Sequence, residues 1–426
     1  MAYPKVYLAK DRKRRLEEGH PWVYRTEIAK IEGEPTDEND LVDVVNHEGY
    51  FLARGFYNRR SQIAVRILAY SEVEIDEAWF LGRIRTAWER RLWLMPGVDA
   101  CRVIYGEADF LPGLIVDKYA DVLVVQILAR GMERRREWIM AGLQEVIKPR
   151  GIYERSDVGV RSLEGLEERA GFVGEPFDTV VEIVENGLKI RVDVAEGQKT
   201  GYFLDQRENR AALRPFMTGW GKAHGIAAAE DGRLWDRRGK EVKNPYWDGA
   251  DVLDCFAHTG SFMLHACLYG ARKVTCVDIS ERAVAMARDN ALANGFLHRT
   301  ECIQANVFDY LREQVRLGRL WDVVILDPPA FAKNRGAVPG ALRGYKEINL
   351  QAMKLLRAGG ILITASCSFH LSPQQFLAML QDAGQDAKKI LRLVEWRRAG
   401  RDHPVLLGSS ETDYLKFAII EVFNRQ

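Results

Sequence analysis

Apolar runs of strand length recur through the second half of the chain, and segments of helical periodicity separate them. The runs and the two tail segments that follow are Val252–Ala257, Lys273–Val277, Glu301–Gln304, Trp321–Leu326, Ile361–Ala365, Ile390–Val394 and Tyr414–Val422. Ser280 and Gly295 bound one of the intervening helices, as a cap and a stop signal. Because strand and helix alternate, we predict an α/β domain with a mostly parallel, seven-stranded sheet and helices on both faces.

The first 75 residues have shorter strands and more turns, which predicts a small β-rich domain. We expect a short helix from Arg12 to about Gly19 and strands at Leu41–Val45, Tyr50–Gly55 and Ser61–Leu68. The turn Asn46–Gly49 joins the first two strands into a hairpin.

Residues 76–184 are predicted to form a second, central α/β domain. Its expected elements are a helix Asp76–Met95, strands within Arg102–Leu128, a helix near Glu133–Ile147 and a strand Gly151–Arg155. Residues 185–426 then form the third domain. Within it, residues 218–249 are polar, Gly-rich and without periodicity, which indicates an insertion or surface loop.

Composition narrows the class of protein. The 61 Lys and Arg residues almost balance the 60 Asp and Glu residues, so an RNA-binding surface would need local segregation of charge. The six cysteines form no C-x-x-C pair and the eight histidines show no ligand spacing, so we expect neither a metal site nor disulfides. Without a signal peptide or an apolar run of about 18 residues, we expect a cytoplasmic protein with no membrane partner.

One stretch, 251–279, has the pattern of a nucleoside-binding strand–loop–helix–strand unit. A short strand is followed by the tight loop His258-Thr259-Gly260, and we expect Ser261 to cap the next helix. The second strand delivers Asp278, which lies 24 residues after Asp254. That spacing is typical of a carboxylate that meets ribose hydroxyls in a doubly wound fold.

The loop glycines decide which nucleoside is expected. A dinucleotide site needs G-x-G-x-x-G, whereas F-A-H-T-G-S-F has a single glycine, which disfavours a nicotinamide dehydrogenase. S-adenosylmethionine (SAM) carries no phosphate, and the stretch resembles motif I of the class I SAM-dependent methyltransferases, which have a Rossmann-like fold. A β-α-β unit without a ligand is the alternative.

Candidate chemistry follows two later strands, as D-P-P-A-F from Asp327 and S-C-S around Cys367. Sites in open parallel sheets form beyond the carboxyl ends of the strands, so both should face one crevice. Pro328 and Pro329 make a stiff loop that could hold a flat ring beside Phe331. Carbon 5 of a pyrimidine is a poor nucleophile, and thiolate attack at carbon 6 activates it. Asp327 could hold the cytosine N3/N4 edge; an inert buried thiol is the competing interpretation of Cys367.

Across nearly the whole chain, the sequence resembles the bacterial ribosomal RNA large-subunit methyltransferase I family. Besides motif I, D-P-P-A-F and S-C-S, the matching stretches are Gly55–Leu68, Gly106–Gln126, Glu154–Leu166 and Gly197–Arg210. The pattern G-F-Y-N-x-x-S-x-I-x-V-R-I-L resembles that family's N-terminal PUA-type RNA-binding domain. Two features depart from the family: Asn306 stands where an aspartate is common, and residues 218–249 lengthen the approach to motif I.

The resemblance implies a PUA domain, a central domain and a methyltransferase domain that makes 5-methylcytosine in large-subunit rRNA with SAM. It implies Cys367 as nucleophile, Asp327 in the substrate pocket, and Phe256, Thr259, Gly260, Asp278 and Asn306 around the donor. We add Asp254, Ile279, Phe203 and Arg207 to the cofactor site. To the RNA site we add Pro328, Pro329, Phe331, Lys199, Arg12 and Lys13.

Several points stay open in the sequence. Methylation of guanine or adenine in RNA is the nearest alternative, since a related guanine-modifying group shares D-P-P-x-F. An RNA-binding protein that has lost catalysis is another. The rRNA substrate is expected to be free or in a partly assembled ribosomal subunit. Whether the protein forms a homodimer stays open.

Overall fold

A computed structural model describes residues 3–36, 39–332 and 334–425. By its contacts the chain divides into two compact units, which are treated separately below. The first unit comprises residues 1–185, 192–205 and 400–413, and the second comprises residues 186–191, 206–399 and 414–426. Among the described residues, no helix has both the length and the apolar character needed to cross a membrane.

The first unit begins with a six-stranded sheet, as the turn-rich pattern predicts. Its elements are β1 (Lys5–Leu8), α1 (Arg14–Glu17), β2 (Trp22–Tyr24), β3 (Ile28–Glu32), β4 (Leu41–Val45), β5 (Phe51–Tyr57) and β6 (Ile63–Ala69). The strand order is β2-β6-β5-β4-β1-β3. The predicted hairpin is present as the antiparallel pair β4–β5.

A second sheet of five strands follows in the same unit, in the order β11-β10-β9-β8-β7. Its elements are α2 (Glu77–Leu94), β7 (Ala100–Tyr105), β8 (Leu114–Tyr119), β9 (Val122–Ile127), α3 (Arg130–Arg134), α4 (Arg136–Ile147), β10 (Gly151–Ser156) and β11 (Arg169–Val173). Asp76 caps α2 by accepting a hydrogen bond from the Trp79 N–H. Two further strands, β12 (Val180–Glu185) and β13 (Leu188–Asp193), lead on along the chain.

Buried contacts join the two sheets of this unit across residue 75, the predicted boundary between the first and second domains. Phe56 and Leu68 of the first sheet share one apolar cluster with residues of α2 and of the second sheet. The buried carboxylate of Glu164 accepts hydrogen bonds from Ser61 at 2.7 Å and from Arg66 at 2.9 Å. Burial alone would raise the pKa of Glu164, but the Arg66 charge and these hydrogen bonds lower it. A three-domain division of the chain therefore remains a prediction.

The second unit contains a seven-stranded sheet, in the order β18-β17-β16-β19-β20-β22-β21. Before it come α5 (Arg207–Ala211) and a short antiparallel pair, β14 (Ala227–Ala228) and β15 (Leu234–Trp235), inside the predicted insertion. The strands of the sheet are β16 (Asp251–Cys255), β17 (Lys273–Asp278), β18 (Thr300–Gln304), β19 (Trp321–Leu326), β20 (Leu356–Ser366), β21 (Lys389–Arg397) and β22 (Lys416–Asn424). All predicted strands of this domain are present, although β20 begins five residues earlier than the pattern indicates.

The first five strands of this sheet run parallel, whereas β22 is antiparallel to both β20 and β21. The connecting helices are α6 (Ser261–Leu268), α7 (Glu281–Ala293), α8 (Val307–Arg316), α9 (Val338–Lys354) and α10 (Pro373–Asp386). The chain winds outward from β16 through β17 to β18, then returns to the other side of β16 with β19. Such a reversal is where open α/β sheets place their ligands. The fold is thus a Rossmann-like α/β domain, as predicted.

Candidate active site

The loop between β16 and α6 turns through left-handed backbone conformations. Phe256, His258 and Gly260 have φ of 59°, 48° and 79°. The φ of Gly260 favours glycine, and an added Cβ would also lie 3.0 Å from Cβ of Ala287 and displace the flexible end of Met263. Gly260 consequently occupies the N-cap position of α6 and makes no side-chain cap. The prediction that Ser261 caps this helix is wrong, because the sharp turn makes Ser261 the first helical residue.

Two aspartates hold this loop in place. Asp254 is fully buried, and its Oδ2 accepts the Met263 N–H at 3.0 Å. Asp278 accepts the His258 N–H at Oδ2 and the Ser280 N–H at Oδ1, both at 2.9 Å. Burial, followed by the negative charge of Asp327, raises the pKa of Asp254 well above its ordinary value. Both side chains therefore shape the backbone at the carboxyl ends of β16 and β17.

Polar atoms and apolar surface at the same strand ends suit a nucleoside. Among the described residues, Oδ1 of Asp254 and Oγ1 of Thr259 are buried without a hydrogen-bond partner. The side chain of Ile279, by contrast, is 66% exposed and offers an apolar face directly after Asp278. Asn306, at the end of β18, is exposed and caps α8 through its Oδ1. Unsatisfied buried acceptors beside an open apolar side chain are what a ribose and an adenine need.

A cluster of aromatic rings surrounds Phe331 of the D-P-P-A-F loop. The ring centroid of Phe331 lies 4.6 Å from that of Tyr345, 5.9 Å from that of Phe308 and 6.4 Å from that of Phe256. Phe256 and Phe331 were predicted site residues, and the structure brings them together. The sequence did not predict that Phe308 and Tyr345 lie next to Phe331. Each is on a helix, where an aromatic residue is also expected in an ordinary hydrophobic core.

Cys367 lies against the D-P-P-A-F loop, as the strand order requires. β19 and β20 are parallel neighbours, with Leu326 opposite Thr364, so the two motifs leave the same edge of the sheet. The Cys367 thiol is 3.8 Å from the Pro328 carbonyl oxygen. Of the six cysteines, all of which lie in the described residues, Cys367 alone is only partly buried. A partly exposed thiol at this edge can meet a substrate; the five buried thiols cannot.

The residue after the thiol anchors both motifs to each other. Ser368 is fully buried, and its hydroxyl accepts the Ala332 N–H at 3.1 Å and lies 2.9 Å from the Tyr345 hydroxyl. The buried Lys416 ammonium donates to the Ser368 carbonyl at 2.6 Å. These hydrogen bonds hold the S-C-S turn rigidly beside the D-P-P-A-F loop.

The structure places the remaining predicted site residues in different surroundings. In the second unit, Pro328 is buried and Pro329 exposed, and Arg207 is buried at the start of α5. In the first unit, the exposed Lys199 ammonium lies 4.7 Å from the ring centroid of Phe203. A further residue, Gln206, was missed: its Nε2 donates to Asp327 Oδ1 at 2.9 Å, across 121 positions of sequence.

The predicted basic cluster of the first unit is partly neutralised by neighbouring carboxylates. Lys13 pairs with Glu17 at 3.2 Å, Arg14 with Glu18 at 2.8 Å and Arg15 with Glu27 at 3.0 Å, which leaves Arg12 as the one member without an ion pair among the described residues. The pairs of Lys13 and Arg14 are exposed and therefore weak, so they can exchange for phosphate contacts, whereas Glu27 is buried and holds Arg15 more firmly.

A carboxylate–histidine cluster lies at the opposite, amino-terminal edge of the sheet. Nε2 of His224, from the insertion, is 2.9 Å from Asp322 Oδ2, and Asp251 lies close to both. Arg272 and Arg357 neutralise these carboxylates at 2.5 Å from Asp251 and 2.9 Å from Asp322. The arginines fill the role that a cation would have, so the cluster attaches the insertion to the sheet.

Known families and relatives match most of the chain. Residues 6–70 match the PUA-like domain family, and residues 241–365 match the family described as conserved hypothetical protein 95. In solved structures, a Streptococcus mutans protein assigned to the SAM-dependent methyltransferases superposes with a TM-score of 0.77 at 20% identity, over 99% of this chain and 100% of its own. A second protein, assigned as a methyltransferase and complexed with SAH, has a TM-score of 0.79 at the same identity and coverage. At this identity, the two structures establish the fold.

Full-length relatives are more similar. Ribosomal RNA large subunit methyltransferase I of Klebsiella pneumoniae is 38% identical over 419 residues, which is 97% of both chains. The protein of the same name from Aeromonas salmonicida is 39% identical over 420 residues, 97% of this chain and 98% of its own. Identity of this level over the whole length means that the chain belongs to the ribosomal RNA large subunit methyltransferase I family.

Proposed function

We propose that this protein is a SAM-dependent methyltransferase that forms 5-methylcytosine in large-subunit ribosomal RNA through a covalent bond between Cys367 and the cytosine ring. One observation carries the proposal: the partly exposed Cys367 thiol lies against the loop that follows Asp327. Phe331 of that loop is in turn 6.4 Å, between ring centroids, from Phe256 of the motif I loop. The names of the full-length relatives support the RNA substrate.

The residues at the ends of β16, β17 and β18 fit the methyl donor. Asp278 would hold the ribose hydroxyls, Thr259 and the loop backbone the methionine end, and Ile279 the adenine face, with Asn306 at its edge. Bound there, the donor supplies an electrophilic methyl group. The remaining chemistry belongs to the side chains at the ends of β19 and β20.

Cys367 acts first in the proposed reaction. Its thiolate forms a bond to carbon 6, and the electron pair of the C5–C6 double bond becomes available at carbon 5, where the methyl group is accepted. Loss of the carbon 5 proton to a base restores the double bond and expels the thiolate. Asp327 holds the N3/N4 edge throughout, and Pro329 and Phe331 confine the ring. Since thiolate is regenerated, the side chain is catalytic and not consumed.

The RNA is expected to reach this site with help from the first unit, through Arg12, Lys13 and Lys199. Exposed cations on a near-neutral protein can bind phosphate locally, and such binding weakens with salt. Removal of residues 1–75 is a poor test, because it would also remove Ser61 and Arg66, the partners of buried Glu164.

Identification of the methylated nucleoside tests the proposed function directly. Purified protein, SAM carrying an isotopic methyl label and protein-free large-subunit rRNA should yield labelled 5-methylcytidine in mass spectrometry of the digested RNA. Labelled methylguanosine or methyladenosine would favour the alternative base specificity. Absence of methyl transfer, despite tight donor binding, would favour an RNA-binding protein without catalysis.

Donor affinity should depend strongly on Asp278. We expect Asp278→Ala to weaken SAM binding by about 1–3 kcal/mol, since a charged acceptor for a hydroxyl is lost and the His258 N–H loses its partner. Isothermal calorimetry measures the effect, with Asp289→Ala, an exposed aspartate on α7, as the matched control. Equal affinity in the Asp278 and Asp289 variants would show that the ribose binds elsewhere.

A further inference from the structure

A chain of side-chain hydrogen bonds ends on Asp327. Gln206 Nε2 donates to Asp327 Oδ1 at 2.9 Å, and Gln206 Oε1 accepts from Asn209 Nδ2 at 2.7 Å. Asn209 Oδ1 accepts from Arg397 Nε at 3.0 Å. Gln206 and Asn209 are 2% and 1% exposed, so water does not compete for these bonds.

Arg397, at the end of this hydrogen-bond series farthest from Asp327, determines which atom donates in each bond. An arginine N–H can only donate, so the Asn209 oxygen must face Arg397. Asn209 Nδ2 also donates to the Arg398 carbonyl at 3.1 Å, which excludes the flipped amide. Gln206 must then accept with its oxygen and present its NH₂ group to Asp327. The hydrogen-bond series therefore places an N–H donor, and not an acceptor, against the Asp327 carboxylate.

A fixed donor on one oxygen has two consequences for Asp327. It favours the ionised form, because a hydrogen bond to a charged acceptor is stronger than one to a neutral acceptor. It also holds the rotamer, so the carboxylate cannot swing away from the crevice. Burial, followed by the negative charge of Asp327, raises the pKa of neighbouring Asp254.

We propose that Gln206 is a positioning residue for cytosine methylation, which orients Asp327 as a charged acceptor for the amino edge of the base. Asn209 and Arg397 act behind it by fixing the Gln206 amide. The inference rests on the proposed function, because only a base edge that donates hydrogen bonds benefits from such an acceptor. Cytosine N4 donates at that edge, whereas uracil O4 accepts.

Kinetics of Gln206→Leu, a change that keeps the volume and removes both hydrogen bonds, tests the assignment. We expect kcat to fall by about 10–100-fold, with the KM for rRNA and the Kd for SAM within about threefold of wild type. Gln206→Glu, which would set two carboxylates face to face, should lower kcat at least as much. Gln351→Leu is the matched control, because Gln351 donates to Glu347 at 3.2 Å on α9 outside the site.

A double-mutant cycle separates positioning from a general structural effect. If Gln206 acts through Asp327, then Gln206→Leu should cost less than about twofold in kcat when introduced into Asp327→Asn. An equal loss in both backgrounds would overturn the inference, as would wild-type kcat in either Gln206 variant while the wild-type protein makes 5-methylcytidine. Should Gln206→Leu fail to fold, Gln206→Glu and its own cycle decide the matter. A wild-type product other than 5-methylcytidine would instead refute the proposed function.

Discussion

Replacement of Cys367 by alanine should abolish methylation of rRNA, with a loss of at least about a thousandfold in kcat, and leave SAM binding unchanged. The expected size follows from the chemistry, since without a thiolate at carbon 6 nothing raises the nucleophilicity of carbon 5. The thiol contacts the Pro328 carbonyl in the D-P-P-A-F loop, at the ends of β19 and β20, whereas the proposed donor site lies at the ends of β16, β17 and β18, so donor affinity should survive. Methyl transfer and calorimetry measure the two properties separately.

Substrate RNA with 5-fluorocytosine at the target position gives a second measurement of the same step. Fluorine cannot leave as a proton does, so the final elimination is blocked and the protein should remain covalently attached through Cys367. A denaturing gel with labelled RNA should show the adduct for wild type and none for Cys367→Ala. Peptide mapping would then identify the attached residue.

Cys276→Ala is the matched control, because Cys276 is buried in β17, where a hydrogen bond with Cys302, followed by burial, raises its pKa. We expect this variant to form the adduct and to methylate normally, with a modest loss of stability from the deleted core atom. Methylation by Cys367→Ala at the wild-type rate would exclude the covalent mechanism. The guanine-directed alternative would then become the favoured function.

Replacement of Asp327 by asparagine should reduce kcat by about 100-fold or more while SAM affinity stays within about twofold. The neutral amide keeps the size and can still accept from Gln206, but it no longer provides charge for the N3/N4 edge of cytosine. The change also removes one of the negative charges that raise the pKa of Asp254. The melting temperature should therefore be unchanged or higher, since like charges near a buried carboxyl are reduced.

Asp322→Asn is unsuitable as a control, because Asp322 is fully buried and paired with Arg357. Asp309→Asn, an exposed aspartate on α8, is the matched variant and should leave kcat unchanged. Full activity of Asp327→Asn would assign the base edge to another side chain, and it would remove the basis for the role of Gln206.

Much of the fold could be predicted because the information is local. Strand β19 was predicted with its observed bounds from a short, mostly apolar run, and all six of its residues are buried, as expected for a strand covered on both faces. Ser280 was predicted as a cap and accepts the Ala283 N–H, because a cap needs only residues within one turn. The cap of α6 was mispredicted, because the left-handed turn at Gly260 depends on how the loop packs against Met263 and Ala287.

The order of strands in the sheet brings the ends of these local elements together at one edge, where the candidate site lies. Asp278, Asp327 and Cys367 were each predicted as site residues from the sequence, because each lies at the end of an apolar run of a predicted parallel strand. Their shared edge could be expected from the general rule for such sheets. The actual neighbours, such as the 3.8 Å approach of the Cys367 thiol to Pro328, depend on the register of β19 and β20.

The sequence by itself therefore determined the kinds of element, the carboxylates and thiol at the strand ends, and the resemblance to the family, since these depend on periodicity and short motifs. Only the tertiary structure decided which side chains support them. Gln206 and Asn209 lie more than a hundred positions before Asp327 and Arg397, and no periodicity connects them. Hydrogen-bond direction is a property of atoms in contact, so it became readable only when the folded chain brought those atoms within 3 Å of each other.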